Sequence, residues 1–242
     1  YSLEAYQRKV PVTIQGIQAQ QLAREQLVEL QSQALFQSGQ AMFQMQLGHT
    51  YAVLSYRREA IDHFQRALEL DPTNADIYIG FGYDLNQLGL PDKAGKVWQQ
   101  AEKLNPQNAK LQEFLGSYFK EQGELDQAIT HFRKAIRIDA QQTAVAANSL
   151  AEILITHPDP SKRNGPEAVQ LLLSVHESLR GQENVRLSPQ GLNTLAKAYA
   201  LSGEWEMASQ TLVEAIRLAQ SMGQVEFSQQ LQGRLEQYRR RQ

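Results

Sequence analysis

The residues to test first for chemistry are five histidines, His49, His63, His131, His157 and His176, in a chain of 242 residues that has no cysteine. A bound zinc or iron needs thiolates or imidazoles at short, fixed intervals. No two of these histidines form H-E-x-x-H or another ligand spacing. The lack of cysteine also removes a disulfide scaffold, a thiolate nucleophile and an iron–sulfur centre. Gly80-Phe81-Gly82 supplies two glycines of a dinucleotide-binding turn, but the third glycine and the preceding strand are missing. A phosphate-cradling G-x-x-x-x-G-K-[ST] loop and a G-x-S-x-G nucleophile elbow are absent too. Carboxylates such as Asp84 and Glu113 fall in helical stretches, and no spacing pairs them. The expectation is a non-enzymatic chain with no catalytic residue, no metal and no cofactor.

Charge narrows the partners. Lys and Arg number 24 against 26 Asp and Glu, so bulk attraction to nucleic acid or to an anionic membrane is not expected. No run of about 18 apolar residues occurs, so direct insertion into a membrane is not expected of this segment. Arg239, Arg240 and Arg241, with Arg234, offer either an anion contact or a complement to a helix macrodipole, and the second reading is preferred. The chain starts at Tyr1 rather than Met. That fits a processed or excised piece from which a signal or membrane anchor is missing, and a cytoplasmic or membrane-tethered setting stays open. Glutamine is abundant, with 33 in all and twelve in the first fifty residues. Interleaved with Leu, Ala and Val, it reads as uncharged helix surface.

The elements that would position any site follow from a repeat. Ala60, Ala94 and Ala128 recur every 34 residues, each followed by a ring at Phe64, Trp98 and Phe132 and then by Ala67, Ala101 and Ala135. Pro72 and Pro106 close two units where Ala140 stands in the third. Upstream, Leu47-Gly48 with Tyr51, Phe81-Gly82 with Leu85, and Leu115-Gly116 with Phe119 keep the same phase, and Gly89 and Gly123 take the tight turns. Small residues let paired helices approach, rings fill the space between hairpins, and proline ends a helix where the chain turns. The triplet returns at Ala208, Leu212 and Ala215. Leu150, Ile153, Ala168, Leu172 and Val175 form a degenerate unit whose extra residues fall at 157–164 and 179–188.

This pattern resembles the tetratricopeptide repeat. The resemblance implies an all-α fold, a right-handed superhelical solenoid of about five helix hairpins. Residues 1–40 form an N-terminal helical extension, and 41–222 the repeats: 41–74, 75–108, 109–142, a degenerate 143–188 and 189–222. Residues 223–242 form a C-terminal capping helix with Phe227, Leu231, Leu235 and Tyr238. In the extension, Ala23, Leu27, Leu30, Ala34 and Ala41 make an apolar stripe. It suits a helix capping the first unit, a short coiled-coil dimer, or a stalk from a missing anchor.

The family generally holds a protein or peptide partner in a concave groove lined by the first helix of each unit. In register, the inward positions give Met42, Met45, His49 and Ala52, then Asp76, Ile79, Tyr83 and Asn86, then Lys110, Glu113, Ser117 and Lys120 beside Phe114. The later units give Ala144, Ala147, Ala151 and Leu154, then Gln190, Asn193, Lys197 and Ala200. The expected partner-binding set is Met45, His49, Ile79, Tyr83, Asn86, Lys110, Phe114 and Ser117, provided the N-terminal helix does not cover it. Members that bind chaperone tails use Lys and Asn where this chain has Met45 and His49, and Asn86 and Lys110 do not restore that clamp. The implied function is a scaffold, adaptor or assembly factor. Alternatives are the partner-selecting domain of a larger membrane-anchored protein or enzyme, for instance an assembly factor of photosynthetic membranes, and a self-associating structural protein forming a weak homodimer.

Overall fold

The computed structural model describes residues 14–37, 39–139, 144–180 and 188–241, and within these leaves out the side chains of 14, 15, 35, 36 and 175–180. Val175, His176, Ala140 and most of the 179–188 insertion therefore lie outside the described residues or side chains. The fold is all-helical. Its contacts divide it into two compact units, Tyr1–Pro106 and Gln107–Gln242.

The first unit holds α1 (Ile14–Gln37), α2 (Ala41–Val53), α3 (Arg57–Leu70), α4 (Ala75–Gln87) and α5 (Pro91–Leu104). Helices α2 and α3 form one hairpin, α4 and α5 the next, and α2 also packs on α4. Each hairpin closes at a glycine-sized place. A Cβ on Gly48 would stand 2.6 Å from the Phe64 ring, and one on Gly82 2.3 Å from the Trp98 indole nitrogen. Phe64 also stacks on Phe81 of the following hairpin, with ring centres 4.8 Å apart. The ring thus belongs to both its own hairpin and the next, where the sequence assigned it to the gap between them. Helix α1 packs on α2 through Leu27, Leu30 and Ala34, which meet Phe43, Leu47 and Tyr51.

The second unit holds α6 (Ala109–Glu121), α7 (Leu125–Ile138), α8 (Ala144–Thr156), α9 (Gly165–Arg180), α10 (Pro189–Leu201), α11 (Trp205–Ser221) and α12 (Val225–Arg239). Gly116 and Phe132 repeat the close approach at 2.6 Å. In α10 and α11 the same register carries Ala196 and Leu212, both fully buried, so a smaller side chain stands where the glycine has become alanine. The 157–164 insertion is a built element. A 3₁₀ turn at Pro160–Lys162 is capped by the Asp159 carboxylate, which accepts from Ser161 N–H at 2.9 Å. Lys162 ties the turn to Asp126 on α7, and Arg133 grips Glu167 with two hydrogen bonds of 2.8 and 3.1 Å. Leu231 and Leu235 bury one side of α12 against α11.

The turns follow one rule. Within the α2–α3, α4–α5, α6–α7 and α10–α11 hairpins and before α12, a backbone N–H reaches back five residues at 2.9 Å: Tyr56 to Tyr51, Leu90 to Leu85, Glu124 to Phe119, Glu204 to Tyr199 and Gln224 to Ala219. This helix-ending motif places the preceding residue in the left-handed region, where glycine is favoured. Gly89, Gly123, Gly203 and Gly223 fill it with φ from 71° to 82°, while the first hairpin uses Ser55 at 65°. Between hairpins, Asn74 and Asn108 cap the next helix, accepting from Asp76 N–H at 3.1 Å and Leu111 N–H at 2.9 Å.

Candidate functional site

The eight expected residues fall on three helices. In the first unit, Met45 and His49 lie on α2, and Ile79, Tyr83 and Asn86 on α4. In the second, Lys110, Phe114 and Ser117 lie on α6.

On α2 and α4, Met42 and Tyr83 are exposed among the polar Gln46, His49, Asp76 and Gln87, beside one buried carboxylate. Tyr83 is 41% exposed and Met42 45%. Met45 and Ile79 are half-buried, and the Met45 sulfur lies 3.7 Å from the place a Cβ on Gly80 would take. Helix α1 covers Phe43 and Leu47, on a different side of α2, and leaves Met42 exposed. Among the described residues, Leu27, Leu30 and Ala34 of the apolar stripe pack on α2, and Met42 and Tyr83 stay exposed.

The feature that the sequence did not pair is Asp84. Its carboxylate is only 3% exposed and meets His49 Nδ1 at 2.9 and 3.1 Å, across 35 residues. The hydrogen bond to Asp84 holds the His49 imidazolium above the usual histidine range, against some loss from burial. Burial pushes the Asp84 carboxyl up more than His49 pulls it down. Both partners therefore shift upward, because the carboxylate is deeply desolvated while the imidazole keeps contact with water. A histidine oriented by a carboxylate is two thirds of an acyl-transfer triad. Among the described residues, however, the hydrogen bonds of His49 go to Asp84 alone, and no serine or threonine hydroxyl approaches it. The arrangement is a clasp between α2 and α4 with a titratable group at its rim.

On α6, Lys110 is exposed at its stem but its ammonium is committed. It bridges Glu113 at 2.5 Å and lies 5.0 Å from the centre of the Phe114 ring. Glu113 is 3% exposed, and its second carboxylate oxygen is buried with no hydrogen-bond partner. Ser117 is half-buried. In the later hairpins Ala147, Ala151, Leu154 and Asn193 of the inward register are buried, whereas Gln190 is exposed and Ala144, Lys197 and Ala200 are half-buried. Among the described residues no group of three or more His, Asp or Glu could hold a metal ion, and no helix is long and apolar enough to cross a membrane.

Comparison with known proteins bears on the fold. The tetratricopeptide-repeat family model matches residues 43–74 and 109–142, the first and third of the repeats expected from the sequence. No curated protein matches the chain. Among solved structures, pilF of Pseudomonas aeruginosa superposes with a TM-score of 0.69 at 17% identity, covering 90% of this chain and 97% of that one. YrrB, a repeat protein described as having an unusual peptide-binding site, gives 0.66 at 16% identity, covering 84% and 97%. PilW, described as a widely conserved type IV pilus biogenesis factor, gives 0.64 at 16% identity, covering 90% and 99%. At such identities the likeness is one of fold.

Proposed function

We propose, from the premise that this chain is a tetratricopeptide-repeat protein, that it is a non-enzymatic adaptor or assembly factor whose first unit holds a protein partner on the α2–α4 face. Repeat solenoids of this family are protein-interaction scaffolds in general, since stacked hairpins spend their hydrophobic faces on each other and leave the first helices to meet partners. The observation that carries the finer reading is the exposure of Met42 on α2 and Tyr83 on α4, the two helices that the His49–Asp84 clasp joins. Tyrosine anchors interfaces with a large, rigid contact, and the flexible methionine side chain adapts to irregular apolar surfaces. An extended or helical segment with apolar side chains suits this face. The α6 face, with its Lys110 already bridged to Glu113, offers a ring at Phe114 rather than a spare charge.

The test is a photo-crosslinking benzoylphenylalanine placed at position 83, with Arg66 on α3 as the control position. A protein adduct formed at 83 and not at 66 in cells of the source organism supports the reading. Equal adducts at both positions, or none at 83, overturn it.

A further inference from the structure

Side chains from four helices of the second unit border one cleft of about 580 Å3. Ile155 comes from α8, Lys197 from α10, Trp205 from α11, and Tyr238, Arg240 and Arg241 from the end of α12. The volume lies in the range of sites that take small molecules or short peptide stretches.

Its charge is one-sided. Arg234 stands close enough to Lys197 for the two to repel, and burial together with that repulsion holds the Lys197 ammonium below the ordinary lysine range. Glu152 acts on Lys197 in the opposite sense, yet its carboxylate is already engaged by Lys120 at 2.5 Å. Arg234 donates to the Asn193 carboxamide, not to a carboxylate. Among the described residues no carboxylate forms an ion pair with Lys197, Arg240 or Arg241. The walls are aromatic. Trp205 meets Tyr238 edge-on, with ring centres 5.7 Å apart, and the Arg241 guanidinium lies 5.2 Å above the indole. The sequence reading gave the terminal arginines to the helix dipole. Arg239 does lie in the last turn of α12, but Arg240 and Arg241 border the cleft.

We propose that this cleft is a second binding site, for an acidic peptide segment of a protein partner. A carboxylate is taken by Lys197 and Arg240, and a neighbouring apolar or aromatic side chain lies against Trp205 and Tyr238. Three cations without an ion pair among the described residues, around a partly apolar space, favour an anion that can form charge-assisted hydrogen bonds there. A membrane or a nucleic acid fits less well. Such polyanions are drawn by broad positive surfaces. Here the chain carries a net charge of −2, and Glu204 and Glu206 line the neighbouring hollow around Trp205. The positive charge is local, with Lys197 half-buried and Arg240 and Arg241 at the exposed rim.

The site shares no residue with the α2–α4 face, so the two stand or fall separately. The test is fluorescence anisotropy with the full chain and a fluorescein-labelled Asp-Glu-Leu-Asp-Glu-Phe peptide. Parallel titrations use the counterpart with lysine at every acidic position, phosphatidylserine vesicles and a thymidine dodecamer. The acidic peptide is expected to bind saturably and to weaken about tenfold or more with Lys197→Glu and with Arg240→Glu. Arg240 is exposed, and its thermal melt should match the parent, which separates lost binding from lost folding. Tyr83→Ala should leave this binding unchanged. No saturable signal up to about 1 mM peptide overturns the proposal. So does equal binding by the charge-reversed variants, or a preference for the vesicles or the oligonucleotide. Failure of crosslinking at position 83 with peptide binding intact would remove only the first-unit reading.

Discussion

A Cβ on Gly48 would stand 2.6 Å from Cδ2 of Phe64, so the ring on one helix occupies the space that the other helix's side chain would need. The later α10–α11 hairpin solves the same contact with Ala196 and Leu212. Gly48→Ala alone gains about 1 kcal/mol of helix propensity but overpacks the hairpin by about 1–3 kcal/mol, for a net loss. Combined with Phe64→Leu it recreates the natural alternative. Urea unfolding of both single variants and the double is expected to show a favourable coupling of about 1 kcal/mol or more. Additive losses would mean that the ring moves aside at no cost.

The turn after α2 departs from its equivalents at one position. Ser55 takes φ of 65° where every other such turn among the described residues has glycine. A Cβ in the left-handed region costs about 1–2 kcal/mol, partly offset by the extra freedom glycine has when unfolded. Ser55→Gly should therefore raise stability by about 0.5–1 kcal/mol, and Gly123→Ser should lower it by a similar amount. Thermal melts of the pair check both signs.

The elements legible in the sequence were those that packing fixes at a constant interval. The alanines, rings and glycines at 34-residue spacing are set by how closely two helices approach, and each hairpin repeats the same contact. Asp84 escaped because its partner lies 35 residues away on another helix, so no interval of three or four reveals the pair. Glu113 is as deeply buried, but its partner Lys110 lies only three residues away, a spacing common on any helix surface that says nothing of burial. The basic cleft escaped because six-residue insertions break the phase before α10, and residues from four helices meet there only in three dimensions. Turn chemistry lay between these extremes: Gly89 and Gly123 were readable, while Ser55 in the same role was not.

The His49–Asp84 clasp should make stability depend on pH. A histidine whose folded pKa is raised contributes stability that is full below its unfolded value near 6.5 and is lost as pH rises through the higher folded value. His63 has the opposite sign, because burial lowers its pKa and its contribution fades as pH falls through 6.5. The two partly cancel in the parent, so the informative quantity is the difference between the parent and His49→Gln. That difference in melting temperature should favour the parent most at pH 6 and shrink steadily towards pH 9. A difference independent of pH would show that the clasp holds as a neutral hydrogen bond. Asp84→Asn should flatten the same profile.

The repeats 41–74 and 109–142 share a contact that the repeat between them replaces. Gln112 is fully buried, and its carboxamide oxygen accepts from His131 Nδ1–H at 2.8 Å while the imidazole stacks on Phe119 at 5.1 Å. Gln44, His63 and Tyr51 repeat this at 2.8 and 5.2 Å. In the repeat between, the same positions carry Tyr78, Val97 and Leu85, which packs the site without the polar pair. Removing one partner from such a pair leaves a desolvated acceptor and costs about 1–3 kcal/mol, whereas removing both is close to neutral. His131→Val should therefore destabilise by that amount. Adding Gln112→Leu should recover a large part of the loss, as read from the urea midpoint at constant slope. A double variant no more stable than His131→Val would mean that the stacking of the imidazole on Phe119, rather than the hydrogen bond, carries the contact.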